Sequence, residues 1–202
     1  MQQTDQPTLK ALVLAGGESR RMGQDKAAIQ VDGVSLLSRT VSLARQFVDD
    51  VHVSVRTPPV DETRRRFNCI VDAGVGQGPL DGILTALNSD TSAAWLVLAC
   101  DLPLLDASTL RVLIDGAAQH PVAPAIAVAD SSGELPEPLC AIWRAPMRAH
   151  IEAAFADGRF CARKCLINAD AVLVTPVNPD ALLNMNQDAD LRLAARHGVI
   201  IG

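Results

Sequence analysis

The residues best suited to chemistry form a glycine-rich stretch that follows the first apolar run of the chain. Gly16 and Gly17 lack side chains, so the backbone there can approach a ligand closely and turn its N–H groups towards an anion. Arg20, Arg21 and Lys26 add positive charge around this pair of glycines. Because amide donors together with cations suit a triphosphate, the stretch predicts a phosphate-binding loop.

The spacing differs from that of the two common phosphate-binding motifs. A Walker A loop reads Gly-x4-Gly-Lys-Ser/Thr, whereas Gln24 and Asp25 separate Gly23 from Lys26. The dinucleotide pattern Gly-x-Gly-x-x-Gly is also absent from the stretch. The alternative is a surface turn with solvated arginines, which a Gly-Gly pair alone would favour but this longer pattern does not.

A carboxylate, Asp101, follows the apolar segment 95–100 and is the candidate metal ligand. Ligands of open α/β sheets bind outside the carboxyl ends of the strands, so Asp101 would face the first loop. Proteins usually bind Mg²⁺ through one or two carboxylates together with phosphate oxygens and water. The alternative role for Asp101 is a helix N-cap, but Asp106 is better placed to cap the next helix.

A second carboxylate, Asp72, precedes another glycine-containing turn. Gly78 frees the backbone, Pro79 suits the first turn of a helix, and Gly82 would permit close approach of a ligand. The alternative for Asp72 is that it caps the turn.

The elements that must position these residues alternate between strands and helices. Over the first ~120 residues this alternation predicts an α/β fold with a mostly parallel, doubly wound sheet flanked by helices. Strands are predicted over 9–15, 51–55, 68–71, 95–100, 124–129, 139–143 and 171–174. Helices are predicted over 36–47, 79–88, 107–118, 146–156, 161–167 and 188–197, and a loop over 130–138.

Length and composition restrict the classes of protein. The 202 residues suit one domain (1–202), with a nucleotide-binding half (1–129) and an acceptor-binding half (130–202). A net charge of −5 and 3% aromatic residues argue against nucleic acid as a partner. Five scattered cysteines make a poor disulfide framework, and no apolar run approaches the ~18 residues of a membrane span. We therefore expect a cytoplasmic protein with no membrane association.

The glycine-rich stretch resembles the Leu-Ala-Gly-Gly-x-Ser-x-Arg-Met-Gly-x-Asp-Lys signature of the molybdenum cofactor guanylyltransferases, the MobA family. Here the stretch runs Leu14-Ala15-Gly16-Gly17-Glu18-Ser19-Arg20-Arg21-Met22-Gly23-Gln24-Asp25-Lys26. The similarity extends from Leu9 to about Leu191. It implies a Rossmann-like nucleotidyltransferase fold. It also implies a Mg²⁺-dependent transfer of GMP from GTP to molybdopterin, which releases pyrophosphate and makes molybdopterin guanine dinucleotide.

The resemblance also implies roles for individual residues. Arg21, Lys26 and Asp101 would be catalytic, with Asp101 in Cys-Asp-x-Pro as the magnesium ligand. The residues expected to bind the substrates are Leu14, Ala15, Gly16, Gly17, Lys26, Asp72, Gly78, Asp101, Asn184 and Asn186. The two asparagines resemble the family's Asn-x-Asn-Thr-Pro-Glu signature and could hydrogen-bond a pterin, or they could be turn and cap residues of the last helix.

At two positions this chain differs from many members of the family. Arg56 stands where many relatives have Asn, and Glu137 stands near the His of a His-Pro pair. The pair Arg163 and Lys164 could meet the acceptor's phosphate, or it could be a solvated basic pair.

The chemistry implied is in-line attack by the acceptor's terminal phosphate on the α-phosphorus of the triphosphate. That phosphate is ionised at neutral pH, so the reaction needs no protein base. The Gly16-Gly17 pair favours GTP, because similar cytidylyltransferases carry Leu-Ala-Ala-Gly. Alternatives are a molybdopterin cytidylyltransferase, a sugar-1-phosphate nucleotidyltransferase and a non-catalytic adaptor that delivers cofactor to an apoenzyme. Expected partners are GTP and molybdopterin, with transient contact to molybdoenzymes or other cofactor-biosynthesis proteins.

Overall fold

Seven strands form one mixed, mostly parallel sheet in the computed structural model, which describes residues 7–15, 25–58 and 61–183. The described residues contain nine strands, seven in this sheet and two in a separate hairpin. They are β1 (Leu9–Leu14), β2 (Gln30–Val31), β3 (Val34–Ser35), β4 (Val51–Val55), β5 (Asn68–Val71), β6 (Ala94–Ala99), β7 (Ala125–Ala129), β8 (Pro136–Trp143) and β9 (Val172–Val174). The order in the sheet is β5-β4-β1-β6-β8-β7-β9, and β2 pairs with β3 as a separate hairpin. In the main sheet β8 runs antiparallel to both of its neighbours.

Six α-helices and one 3₁₀ turn connect these strands within the described residues. The helices are α1 (Leu36–Ala44), α2 (Glu62–Arg65), α3 (Pro79–Ser89), α4 (Ala107–Gln119), α5 (Met147–Ala156) and α6 (Ala162–Asn168). The 3₁₀ turn covers Lys26–Ala28. None of the described helices is long and apolar enough to cross a bilayer.

The helices cover both faces of the sheet, and the alternation of side chains along β1 shows how. Ala11 and Val13 belong to a buried cluster that includes side chains of α1 and α4. Leu12, between them, belongs to a second cluster with side chains of α3, α5 and α6. Because successive residues of a strand point to opposite faces, β1 must be apolar where both faces are covered, and it is apolar from Ala11 to Leu14. Both of its faces are buried, as in a doubly wound sheet.

The predicted α/β fold is confirmed, and most predicted strands and helices lie within two or three residues of the observed ones. The loop predicted over 130–138 is too long, because β8 begins at Pro136. The sequence prediction also missed α2 and the β2–β3 hairpin, whose elements are too short for a periodic pattern. The helix predicted over 188–197 lies outside the described residues. Strands β6 and β8, from before and after residue 130, pair directly, and the proposed division into two halves stays a prediction.

Candidate active site

A cleft of about 200 Å³ opens at the carboxyl ends of the parallel strands β1, β4, β5 and β6. These strands are neighbours in the sheet, so the residues that follow them converge on one edge. The side chains and backbone that line the cleft belong to Leu14, Ala15, Lys26, Ala27, Ser54, Arg56, Asp72, Gly78, Pro79, Gly82, Ala99, Cys100, Asp101 and Leu139. Six of the predicted site residues are among them: Leu14, Ala15, Lys26, Asp72, Gly78 and Asp101.

Lys26 and Asp101 meet in this cleft, with Nζ of Lys26 2.8 Å from Oδ2 of Asp101. The two side chains are 18% and 20% exposed, so both can reach a ligand in the cleft. Lys26 is presented by the 3₁₀ turn, which Asp25 caps by accepting a hydrogen bond from the Ala27 amide at 3.1 Å. Asp101 lies two residues beyond the end of β6. The ammonium group of Lys26, which can bind a phosphate, therefore lies next to the carboxylate of Asp101, which can bind a metal ion.

The surroundings of Asp101 fit a magnesium ion that takes most of its ligands from a substrate. Among the described residues, no group of three or more His, Cys, Asp or Glu side chains could hold a metal ion. Mg²⁺ usually keeps several waters and binds one or two carboxylates together with substrate phosphates, so one carboxylate suffices. The alternative interpretation of Asp101 as the N-cap of α4 is wrong, because Asp106 caps this helix by accepting a hydrogen bond from the Thr109 amide at 2.8 Å.

Asp72 lies on the side of the cleft formed by β4 and α3. The hydroxyl of Ser54 donates to Oδ1 of Asp72 at 2.7 Å. Burial raises the pKa of the Asp72 carboxyl, and the Ser54 hydrogen bond opposes that shift. The charge of Asp81 raises the pKa of Asp72 further, and the charge of Arg56 lowers it.

Two glycines let α3 approach this side of the cleft. Gly78 has φ 66° and ψ −154°, a conformation that is essentially restricted to glycine, and Pro79 then starts the helix. A Cβ atom on Gly82 would lie 2.5 Å from Oγ of Ser54 and 3.1 Å from Oδ1 of Asp72. Gly82 therefore allows α3 to pack against the Ser54–Asp72 pair, a role beyond the ligand approach predicted from the sequence.

Asp81 is a buried carboxylate that the sequence analysis missed. Its two oxygens accept hydrogen bonds from the backbone amides of Gly74, at 3.1 Å, and Val75, at 3.2 Å. The loop between Asp72 and α3 is thereby fixed to the first turn of α3. An acidic residue in the first turn of a helix only weakly predicts that it binds the amides of the preceding loop. Acidic residues are common at this position even where they contact only water.

Arg64 was missed as well, because a run of three arginines at positions 64–66 is typical of a solvated surface. Its side chain is 13% exposed, and its guanidinium donates to the Ala15 carbonyl and to the Asp25 carboxylate, on the two sides of residues 16–24.

Arg163 and Glu137 form an ion pair near the antiparallel strand β8. Nη2 of Arg163 is 3.2 Å from Oε2 of Glu137, and Nη1 is 3.4 Å from Oδ2 of Asp130. Burial raises the pKa of Glu137, while the Leu139 amide and Arg163 oppose the shift. Arg163 is therefore ion-paired, so the alternative of a solvated basic pair is wrong for this residue. Lys164 is exposed. The predicted contact with an acceptor phosphate stays a prediction.

Five of the predicted site residues fall outside the described residues: Gly16, Gly17, Arg21, Asn184 and Asn186. Their predicted roles therefore stay predictions.

Comparison with known proteins points to one family. A family model described as a MobA-like NTP transferase domain matches residues 11–183. A molybdenum cofactor biosynthesis bifunctional protein from Synechocystis sp. is 35% identical over 186 residues, which cover 92% of this chain and 53% of that protein. The chain thus spans about half the length of that relative. A probable molybdenum cofactor guanylyltransferase from Nostoc sp. is 34% identical over 186 residues, which cover 91% of this chain and 88% of that protein.

A solved structure supports the fold. The molybdopterin-guanine dinucleotide biosynthesis protein A from Archaeoglobus fulgidus superimposes with a TM-score of 0.75 and 22% identity. The match covers 94% of this chain and 98% of that one.

Proposed function

The chain belongs to the family of MobA-like NTP transferase domains, and on that premise we propose that it transfers GMP from GTP to molybdopterin. The products are molybdopterin guanine dinucleotide and pyrophosphate. The names of the relatives support this choice of substrates. The observation that carries the proposal is the meeting of Lys26 and Asp101 in the cleft at the carboxyl edge of the sheet.

The reaction is a displacement at the α-phosphorus of GTP. An oxygen of the acceptor's terminal phosphate forms the new bond to that phosphorus, and the bond from it to the oxygen of the pyrophosphate leaving group breaks. A phosphate monoester has a second pKa near ~6, so the attacking oxygen is ionised at neutral pH and no side chain has to remove a proton. Catalysis then consists of positioning the two substrates and neutralising the charge that develops on pyrophosphate.

Lys26 supplies the positive charge on the described side of the phosphate site. Its ammonium group has three donors on a flexible stem, so it can follow a phosphate oxygen as charge shifts towards the leaving group. Arg21 and the amides of Gly16 and Gly17 are proposed to act with it. Asp101 would hold Mg²⁺, which when bound would neutralise phosphate charge as a Lewis acid.

The nucleoside side of the cleft is proposed to lie along Asp72 and the start of α3. Gly78 and Gly82 remove two side chains from this wall, which lets a ligand approach the backbone. Arg56 adds a positive charge where many relatives have Asn, so we propose that it contacts a ribose or phosphate oxygen. Asn184 and Asn186 are proposed to bind the pterin.

The cysteines support a reducing compartment. All five lie in the part of the chain that the structure describes, and all five are free thiols. Such usage is typical of cytosolic proteins, so we propose a cytoplasmic enzyme that can pass its product to molybdoenzymes.

The test measures pyrophosphate release by the purified protein with Mg²⁺ and GTP, with and without molybdopterin. We expect release that depends on both molybdopterin and GTP, with CTP and UTP giving little. Thermal unfolding with each nucleotide gives an independent measure of binding, because a ligand at 100 times its Kd adds about 2.7 kcal/mol to the free energy of unfolding. Release from CTP instead of GTP would identify a cytidylyltransferase. Binding of GTP without pyrophosphate release, given authentic molybdopterin, would identify an adaptor.

A further inference from the structure

Arg64 connects two segments of the chain that lie on either side of residues 16–24. Its Nε and Nη2 atoms donate to the Ala15 carbonyl at 3.3 and 2.8 Å. Its Nη1 and Nη2 atoms donate to the two carboxylate oxygens of Asp25 at 2.6 and 2.8 Å. Ala15 ends the first of these segments and Asp25 begins the second, with residues 16–24 between them.

The geometry of these contacts requires an arginine. The guanidinium is planar and carries five N–H donors in a fixed arrangement, so one side chain can bind a carboxylate with two bonds and a carbonyl with two more. A lysine ammonium in the same place is a single charged point and could not hold both groups in a defined orientation. The side chain is 13% exposed, so water competes little for these donors.

The contact to Asp25 leads directly to Lys26. Oδ1 of Asp25 accepts from Arg64 and also from the Ala27 amide at 3.1 Å, which caps the 3₁₀ turn. Lys26 is the first residue of that turn, and its ammonium group lies 2.8 Å from Asp101. Arg64 therefore holds the Asp25 carboxylate in place, and Asp25 in turn caps the 3₁₀ turn. That turn presents Lys26 to the cleft.

The charge of Arg64 also keeps this connection intact over a wide pH range. The hydrogen bonds from Arg64 hold the pKa of Asp25 below its usual value, although burial opposes the shift. Arg64 thus favours the ionised form of the Asp25 carboxylate, which is the stronger, charged acceptor.

We propose that Arg64 is a positioning residue for the phosphate site: it holds Ala15 and Asp25 in place so that Lys26 lies beside Asp101. Only the expected loss of catalysis rests on the proposed function. The position of Lys26 can be measured without turnover, so the positioning role can be tested independently. If Arg64 only anchored α2, its loss would weaken the fold without a specific effect at Lys26.

The catalytic test compares Arg64→Ala, Arg64→Lys and Asp25→Asn with Arg66→Ala. Arg66 is an exposed arginine of the same run, and its Nε donates to the backbone carbonyl of Glu62, so it is a matched control. A displacement of about 1 Å at a reacting group can cost about 10²-fold, so we expect kcat to fall about 10- to 100-fold in the first three variants. Arg64→Lys should recover little of this loss, and Arg66→Ala should stay within about twofold of wild type.

The second test observes the lysine directly. The chain has three lysines, Lys10, Lys26 and Lys164, so ¹³C-dimethylation of the amines gives three lysine NMR signals besides that of the terminal α-amine, and Lys26→Arg assigns the relevant one. Lys10 is paired with Asp50 and Asp90 near the amino ends of the strands, and Lys164 is exposed, so both are internal references. We expect Arg64→Ala and Asp25→Asn to shift or broaden the Lys26 signal and to leave the other two unchanged.

The outcomes separate this inference from the proposed function. An unchanged Lys26 signal in Arg64→Ala, or equal changes in all three signals, would overturn the positioning role. Wild-type protein that releases no pyrophosphate from any nucleotide would overturn the proposed function, and the Lys26 signal would still decide whether Arg64 positions it. If wild type is active, full turnover in Arg64→Ala would also overturn the inference.

Discussion

Lys26 and Asp101 are 75 positions apart in the sequence, yet their charged groups are 2.8 Å apart. The sheet explains this proximity. β1 and β6 are neighbouring parallel strands, with Leu14 opposite Ala99, so the segments that follow them leave the sheet at the same edge. Each strand thus delivers one charged side chain to the cleft, and the pair lies where ligands of open α/β sheets bind.

The first prediction concerns Lys26 itself. Lys26→Ala removes the charge proposed to stabilise the leaving pyrophosphate, and losing one such preorganised donor costs about 10²-fold or more in turnover. The measurement is kcat for pyrophosphate release at saturating GTP and molybdopterin. Lys10, which is paired with Asp50 and Asp90 outside the cleft, provides the control substitution, Lys10→Ala, which should not lower kcat more than about twofold. Turnover of Lys26→Ala within about threefold of wild type would remove Lys26 from the mechanism.

Much of this arrangement could be predicted because it depends on local patterns. Apolar runs flanked by glycines identify the strands, and alternating strands and helices imply a parallel sheet, which brings the segments that follow β1 and β6 to one edge. Arg64 could not be found this way, since its partner Ala15 is 49 positions away and no period or motif marks the contact. Asp81 was missed because its hydrogen bonds to the Gly74 and Val75 amides form only when the loop before α3 folds back onto the helix.

The start of β8 shows another limit of sequence patterns. Two prolines, Pro136 and Pro138, interrupt the run and argued for a loop, since proline cannot donate to a strand ladder. The strand nevertheless begins at Pro136, and the register between β7 and β8 shifts at Ala127–Val128. An irregular ladder of this kind tolerates proline, and it is a property of the pair of strands rather than of either sequence.

The second prediction concerns Gly82. In Gly82→Ala the new methyl group would lie 2.5 Å from the hydroxyl oxygen of Ser54, which is buried and hydrogen-bonded to Asp72. Overpacking of this kind costs about 1–3 kcal/mol, more than the gain of up to about 1 kcal/mol from placing alanine in a helix. We expect a lower free energy of unfolding in urea and, because the Ser54–Asp72 pair must move, a higher KM for GTP.

Gly116→Ala is the matched control for Gly82→Ala. Gly116 is also a helical glycine, and its added Cβ would lie 2.6 Å from Cγ1 of Val174, away from the cleft. This variant should be less stable than wild type but should keep the wild-type KM. Equal KM values for the two variants would show that the packing at Gly82 does not shape the nucleotide site.

The third prediction concerns Arg56, which lines the cleft at a position where the resemblance to the family predicts asparagine. A hydrogen bond to a charged group contributes about 1.5–3 kcal/mol, so Arg56→Asn should raise the KM for GTP at least about tenfold if Arg56 contacts the nucleotide. The measurement is the KM for GTP at saturating molybdopterin, with Arg65→Asn, an exposed arginine outside the cleft, as control. An unchanged KM would mean that the asparagine of the relatives and the arginine of this chain are equivalent here.

The fourth prediction concerns the pH dependence that Asp72 confers. Burial raises the pKa of Asp72 in the folded protein above its usual value, so the ionised carboxylate destabilises the folded state relative to the unfolded one. As the pH falls through the folded pKa, protonation removes that cost, and the gain is complete below the unfolded value of about 3.9. An asparagine side chain in place of this carboxylate would carry no charge at any pH and could still accept the Ser54 hydrogen bond.

Asp72→Asn should therefore be more stable than wild type at pH 7, and the difference should shrink as the pH falls through the folded pKa of Asp72 towards about 3.9. The measurement is urea unfolding of both proteins between pH 7 and pH 4, with Asp115→Asn on the exposed side of α4 as the control. If Asp72 binds the nucleotide, the more stable variant should also have a KM for GTP about tenfold or more above wild type, the cost of one hydrogen bond to a charged group. Higher stability with an unchanged KM would leave Asp72 as a buried, costly carboxylate with no part in binding, whereas lower stability at pH 7 would contradict the pKa shift itself.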